Sequence, residues 1–275
     1  MPVSFEGKLL LVGAGNLGGA LLRGWIDNGI DPGKITVQDP GPPDHMVDLM
    51  KTHNLCCVAR ADDQTDAEFS VVVLAVKPQI MDVVLTGVKS FAGSSTVFLS
   101  VAAGKTTGYF EGKLGDDTRV VRTIPNTPAA IGRGITAAFA NANASPAQQR
   151  QCDQLLSAIG EVVWVEDEKL IDAATGVSGS GPAYVFYMTE CLAQAGVCAG
   201  LPQDVAQKLA RATVSGAGEL MHKSALEPGQ LRENVTSPNG TTAAALEILR
   251  DRGDLEKLMT EAVNAAANRS RELAK

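Results

Sequence analysis

The sequence predicts an α/β chain in two parts: a doubly wound domain over residues 1–165 and an all-helical domain over residues 166–275. Three observations lead there. Short apolar, β-leaning runs alternate with helical periodicity through the first part. A glycine-rich turn joins the first strand to the first helix. After about Glu166 the strand signals stop, and alanine-rich helical patterns take over.

The elements follow in order. Lys8–Val12 is the first strand, and Gly13-Ala14-Gly15-Asn16-Leu17-Gly18 follows it. Ala20, Leu21, Leu22, Trp25 and Ile26 then recur at helical spacing until Gly29. Ile35–Asp39 is the second strand, ended by Pro40-Gly41-Pro42-Pro43, which completes a βαβ unit. Val71–Val76 is a continuous apolar run, as expected of a strand covered on both faces. Thr96–Val101, Arg119–Ile124, Ile135–Phe139 and Val162–Val165 complete the strands, with a helix over Ala147–Ile159. Beyond Glu166, helices are expected over Ala183–Ala199, Pro202–His222, Thr242–Arg250 and Leu255–Leu273. The apolar helices of this part exceed what a small domain hides alone, so a homo-oligomer is expected.

Composition narrows the function. The 275 residues are 45% apolar and 20% charged, as in an ordinary globular protein. A net charge of −7 argues against a polyanion partner, and 4% aromatics against a base-stacking surface, so no nucleic acid is expected. The five cysteines (Cys56, Cys57, Cys152, Cys191, Cys198) fit neither a disulfide framework nor a zinc site, and with three histidines and no HExxH no metal is expected. Cys191 and Cys198, one heptad apart, read as buried small hydrophobes. No apolar run approaches the ~18 residues of a membrane helix. Lys8 with Leu9–Ala14 has the look of a signal peptide, but Glu6 and the lack of a clean A-x-A site oppose it, so the protein is expected in the cytoplasm.

Gly13-x-Gly15-x-x-Gly18 between a strand and a helix is the context of a Rossmann-type dinucleotide site. Gly13 permits the tight turn, Gly15 lets backbone approach a pyrophosphate, and Gly18 lets helix and strand pack closely. Asn16 and Leu17 open the helix whose free N–H groups meet the phosphates. Asp39 ends the second strand, where an acid accepts ribose hydroxyls; the alternative is that it only starts the turn. An acid there disfavours a 2′-phosphate.

Two hydroxyl-rich turns precede helices in the second part: Gly176-Val177-Ser178-Gly179-Ser180-Gly181-Pro182-Ala183 and Thr236-Ser237-Pro238-Asn239-Gly240-Thr241-Thr242. Such turns offer N–H donors suited to a carboxylate, although plain N-capping uses the same residues. Ser178 is therefore a candidate substrate contact. Neither segment carries a lysine, and the second part's one histidine, His222, lies in a solvated helical context. Ketone reduction usually wants a His or Lys acid. An iminium carbon is already electrophilic, so these residues suit imine reduction better.

The chain resembles pyrroline-5-carboxylate reductases over nearly its full length. The resemblance rests on Val12–Gly18, Leu74-Ala75-Val76-Lys77-Pro78-Gln79, Ser100-Val101-Ala102-Ala103-Gly104, Arg122-Thr123-Ile124-Pro125-Asn126-Thr127-Pro128, Gly176–Phe186 and Val235–Thr242, in that order. It implies reduction of L-1-pyrroline-5-carboxylate to L-proline with NADPH or NADH. It implies that Ala75, Val76, Lys77 and Pro78 lie along the cofactor and that Asn126 and Thr127 adjoin the nicotinamide. Ser237, Gly240, Thr241 and Thr242 would hold the substrate carboxylate, and Thr242, the candidate catalytic residue, would hydrogen-bond the ring nitrogen. The helical part would form an intertwined homodimer, often built further into a ring of dimers.

The sequence departs from the family pattern at three places. Asn239 replaces a glycine common in the signature turn, and asparagine tolerates positive φ better than most residues. Asp39 stands where many members carry Asn, Ser or Arg, and Asp62 stands near a position where an Asn often meets the ribose. Two acids there weaken the usual NADPH preference, leaving the cofactor open with a slight lean to NADH. Two other classes were weighed. A β-hydroxyacid dehydrogenase would carry a lysine one helical turn after its glycine-rich loop, whereas Gly179–Tyr184 continues as Val185-Phe186-Tyr187-Met188. A cofactor-binding regulator without turnover has no use for the intact Ser237–Thr242 turn.

Overall fold

Eight strands form one sheet: β1 (Leu9–Val12), β2 (Ile35–Gln38), β3 (Cys56–Val58), β4 (Val71–Leu74), β5 (Val97–Ser100), β6 (Arg119–Ile124), β7 (Gly134–Ala140) and β8 (Gly160–Trp164). The structure is a computed structural model, and it describes residues 5–64, 68–251 and 254–274. The strand order is β3-β2-β1-β4-β5-β6-β7-β8. Neighbours run parallel except β6 and β7, which pair antiparallel with Val121 opposite Ala140. The order reverses between β1 and β4, and beyond the carboxyl ends of the strands at such a point is where ligands bind in open α/β sheets.

The helices are α1 (Asn16–Asp27), α2 (Asp44–Thr52), α3 (Met81–Val88), α4 (Thr107–Leu114), α5 (Pro146–Leu156), α6 (Leu170–Ala174), α7 (Gly181–Cys198), α8 (Gln203–Lys223), α9 (Pro228–Asn234), α10 (Thr241–Leu246) and α11 (Asp254–Leu273). By contacts the chain divides into two compact units. One runs to Gly179 and includes the tail from Ala266; the other is Ser180–Ala265.

The first unit has a core on each face of the sheet. Alternate β1 residues go opposite ways: Leu9 and Leu11 join Leu21, Leu22 and Trp25 of α1 and Leu155 of α5, whereas Leu10 and Val12 join Met81 and Leu85 of α3 and Phe110 of α4. All four β1 side chains are fully buried, each worth ~1.5–3 kcal/mol. That is why the run is apolar without alternation. Trp25 satisfies its indole by donating to the Leu155 carbonyl at 2.9 Å.

The second unit is helical and thinly buried. Within α7 no residue is buried, and in α8 only Ala206 and Ala210 are. Phe186, Tyr187, Leu209 and Leu258 are each more than half exposed. Cys191 and Cys198 are exposed as well, which corrects the expectation of burial. Their helix is apolar nearly all round and packs along α8 on one side only, leaving these cysteines exposed among the described residues; Cys152 on α5 is buried.

Other differences are local. β3 was not foreseen, because Cys56-Cys57-Val58 is a three-residue edge strand with little burial. The helix expected over Thr242–Arg250 is α10 followed by a wider π-type turn, Glu247–Asp251. α5 gives way to a 3-10 turn at Ser157–Ile159.

Candidate active site

The glycine turn after β1 shows three different demands. Gly13 has φ +93°, and a Cβ there would meet the Ala75 carbonyl and Val76 Cγ1, each at 2.8 Å. At Gly18 a Cβ would fall 2.0 Å from the Gly13 carbonyl oxygen, so the helix could not approach the turn. Gly15, in contrast, would point a Cβ at open space, with nothing within 4 Å. Its bare Cα serves no contact inside the protein. The vacant side is that from which a pyrophosphate would approach. Gly15 is also the N-cap of α1 and makes no side-chain cap, which leaves the first-turn N–H groups of Asn16 and Leu17 for an anion. The residues present therefore fit a dinucleotide.

Other elements bring their ends to this turn. Ala75 donates its N–H to the Val12 carbonyl at 2.8 Å, holding the post-β4 loop beside the glycines. Lys77 is exposed and caps a 3-10 turn that opens with Pro78. Asp39 lies just beyond β2. Its Oδ2 accepts from the Ala14 N–H at 2.8 Å and its Oδ1 from the Gly41 N–H at 2.9 Å. The Gly41 contact is the turn-forming role, and the Ala14 contact ties the same carboxylate to the glycine turn. Burial and the nearby Asp39 charge push the Cys57 thiol up, so β3 also borders this acid. Two residues past β3, Arg60 is hydrogen-bonded through Nε to Asp62 Oδ1 at 3.0 Å, and its second nitrogen reaches Oδ2. The Arg60 guanidinium holds the Asp62 carboxyl below its ordinary range.

Asn126 and Thr127 follow β6. Asn126 Oδ1 accepts from the Ile135 N–H at 3.0 Å, which fixes the carboxamide, and Thr127 is exposed. A groove of about 830 Å³ joins this pair to Asn16 and Leu17 and continues along α1 past Arg23 and His45. Gly13, Gly15, Asp39 and Ala75–Pro78 do not line that groove; they follow the carboxyl ends of β1, β2 and β4.

Ser178 sits in a π-type turn, Thr175–Gly179, and donates its hydroxyl to the Ala174 carbonyl at 3.0 Å. In the second unit, Ser237, Gly240, Thr241 and Thr242 are brought together by one turn. The Gly240 N–H donates to the Ser237 carbonyl at 3.0 Å, and a Cβ on Gly240 would lie 2.5 Å from Ser237 Oγ. Asn239 has φ +59°, so it takes the left-handed conformation a glycine would otherwise supply. Gly240 caps α10, with Thr241 and Thr242 as the first two helical residues; Thr242 is half-buried.

Sequence reasoning missed a buried ionic cluster beneath the site. Arg122 on β6 is 3% exposed. It pairs with Glu168 at 3.0 Å and Asp172 at 3.5 Å. Glu168 also accepts from the Thr107 N–H and hydroxyl, and Asp172 accepts from Ser270 Oγ at 2.6 Å. The signal was available: one charge inside the apolar run Val120–Ile124. Four residues past Arg122, the strand delivers Asn126.

Comparison with known proteins converges on one family. Residues 168–273 match the family model described as pyrroline-5-carboxylate reductase dimerisation, and residues 8–104 match one described as NADP oxidoreductase, coenzyme F420-dependent. The curated pyrroline-5-carboxylate reductase of Pseudomonas aeruginosa is 39% identical over 97% of both chains. A solved pyrroline-5-carboxylate reductase from Coxiella burnetii superposes with TM-score 0.91 at 34% identity, covering 98% of this chain and 100% of that one. The Plasmodium falciparum enzyme, solved with NADP bound, superposes with TM-score 0.80 at 29% identity over 98% and 99% of the two chains. The dimerisation match accounts for the uncovered apolar helices of the second unit, which is a homo-oligomerisation domain. With a nicotinamide-type glycine turn at the sheet's switch point and relatives matched from end to end, the chain belongs to the pyrroline-5-carboxylate reductase family.

Proposed function

We propose that this enzyme reduces L-1-pyrroline-5-carboxylate to L-proline, the last step of proline biosynthesis, at the expense of NADPH or NADH. The observation that carries the reading is full-length family membership, 39% identity over 97% of the chain. The open side of Gly15 is its local support.

A bound reduced nicotinamide would supply a hydride to the carbon of the C=N bond, whose nitrogen has taken its proton from solvent beforehand, as the iminium. The chain's own residues bind and orient. Gly13, Gly15, Asn16, Leu17 and Gly18 present backbone to the pyrophosphate, and Asp39 accepts from the ribose hydroxyls. Ala75, Val76, Lys77 and Pro78 flank the dinucleotide. Asn126 has its oxygen engaged by Ile135, so its Nδ2 donors serve the nicotinamide side together with Thr127. Ser237, Gly240, Thr241 and Thr242 hold the substrate carboxylate, and the Thr242 hydroxyl hydrogen-bonds the ring nitrogen; Ser178 is a separate candidate substrate contact. Positioning does most of the work here, because the iminium carbon needs no strong acid.

The same reading extends to assembly and location. The exposed apolar faces of α7, α8 and α11 support an intertwined homodimer, with a ring of dimers as the larger assembly. All five cysteines are free, as suits a reducing cytoplasm. No described helix is long and apolar enough to cross a membrane. The test is imine-dependent oxidation of NADH or NADPH with L-proline identified as product. A Thr242→Ala variant that kept full turnover would remove the role given to Thr242.

A further inference from the structure

The end of β2 carries more information than the family pattern. Asp39 is a carboxylate fixed in place: Ala14 holds one oxygen and Gly41 the other. Each oxygen keeps a lone pair for a further donor. Its negative charge is therefore set at a constant position relative to the phosphate turn, because the same Ala14 N–H belongs to that turn. A vicinal diol can donate to such a carboxylate. A dianionic 2′-phosphate in the same place would meet its charge head-on.

The next strand could have offset this. β3 ends beside β2: the Asp39 N–H donates to the Val58 carbonyl at 3.1 Å, and Gln38 Nε2 donates to the Ala59 carbonyl at 3.0 Å. Arg60 is the following residue, two past the strand that pairs with β2, and a guanidinium is the group best suited to a phosphate. It is already committed. Its Nε and a terminal nitrogen fork onto both oxygens of Asp62, and Asp63 follows. The pair is solvent-exposed, 73% and 42% for the two side chains, so it competes with a phosphate for the guanidinium and weakens that contact without abolishing it.

We infer that this enzyme prefers NADH, with Asp39 as the specificity-determining residue and the Arg60–Asp62 pair withholding the one neighbouring cation, among the described residues of β3 and its exit turn, that could hold a 2′-phosphate. The inference rests on the dinucleotide reading of the first unit and deepens it. It also makes Asp62 a lever: removing that side chain releases Arg60 and opens a path to NADP.

The test is equilibrium binding, free of turnover. Calorimetric titration would compare NAD+ with NADP+, and 5′-AMP with adenosine 2′,5′-bisphosphate, on the wild-type enzyme, Asp39→Asn and Asp62→Ala. Asp39→Asn removes the charge and keeps an acceptor for the turn, and thermal melting would verify that both variants are folded. Wild type should bind NAD+ about tenfold or more tighter than NADP+, the weight of one charge contact. Asp39→Asn should reduce that ratio by about tenfold, and Asp62→Ala should raise affinity for NADP+ and the bisphosphate by about three- to tenfold. Wild type binding NADP+ as tightly as NAD+ would overturn the preference. A ratio unmoved in folded Asp39→Asn would overturn the role of Asp39, and bisphosphate affinity unmoved in Asp62→Ala that of the ion pair. Binding of neither dinucleotide would instead overturn the underlying reading of the glycine turn.

Discussion

Gly18 and Gly13 approach so closely that a Cβ on Gly18 would lie 2.0 Å from the Gly13 carbonyl oxygen. Gly15, between them, meets nothing within 4 Å. The two outer glycines are requirements of the fold; the middle one is not, and its open side is the pyrophosphate approach proposed above.

That contrast is directly measurable. Gly15→Ala should melt within a degree or two of wild type, because its φ of −70° suits alanine and the space is open. Its dinucleotide affinity should fall about tenfold or more, since the methyl occupies the pyrophosphate approach. Gly18→Ala should lose stability by about 1–3 kcal/mol or more through overpacking against backbone. Thermal melts and dinucleotide titrations on the pair check both statements.

Thr242→Ala should lower kcat about a hundredfold, the scale lost when a reacting group is misplaced by about 1 Å. Dinucleotide Kd should stay at the wild-type value. Thr242→Ser, which keeps the hydroxyl, should restore most of the rate. Steady-state kinetics with a parallel binding titration separates the two quantities.

Arg122→Ala should destabilise the first unit by about 3–5 kcal/mol, because Glu168 and Asp172 then lose the cation that pairs them both. Part of the loss should reach Asn126 and the tail bearing Ser270, both tied to this cluster through β6 and Asp172. Chemical denaturation gives the magnitude. Hydrogen exchange should show faster opening at α6 and the end of α11.

Cys152 should resist thiol reagents until the protein unfolds. It is completely buried in the core, and burial pushes its thiol well above the ordinary range, so little thiolate forms at neutral pH. Cys56 on the exposed edge strand should react in the folded protein, and Cys57, whose thiol burial and the Asp39 charge push up, should react more slowly than Cys56. Timed alkylation with mass mapping reads each site.

Much of this was legible in the residues because the strongest signals are local. The apolar run of β1, the three glycines and the 3.6-residue periodicity of α1 all sit within twenty residues, and each acts through its own neighbours. The signature turn was equally legible, down to Asn239 taking positive φ. The hidden parts depend on partners distant in sequence. Ala14 finds Asp39 25 residues away, and Ser270 finds Asp172 98 residues away. β3 escaped notice because an edge strand needs no apolar pattern. Cys191 and Cys198 misled because apolar periodicity reports that a face needs covering without reporting whether the same chain covers it.

The most direct measurement is the loss of reduced-nicotinamide absorbance when folded, oligomeric enzyme is mixed with L-1-pyrroline-5-carboxylate and either NADH or NADPH. The account predicts saturable, imine-dependent oxidation, stoichiometric formation of L-proline and a higher kcat/KM with NADH. No imine-dependent oxidation with either cofactor would contradict it.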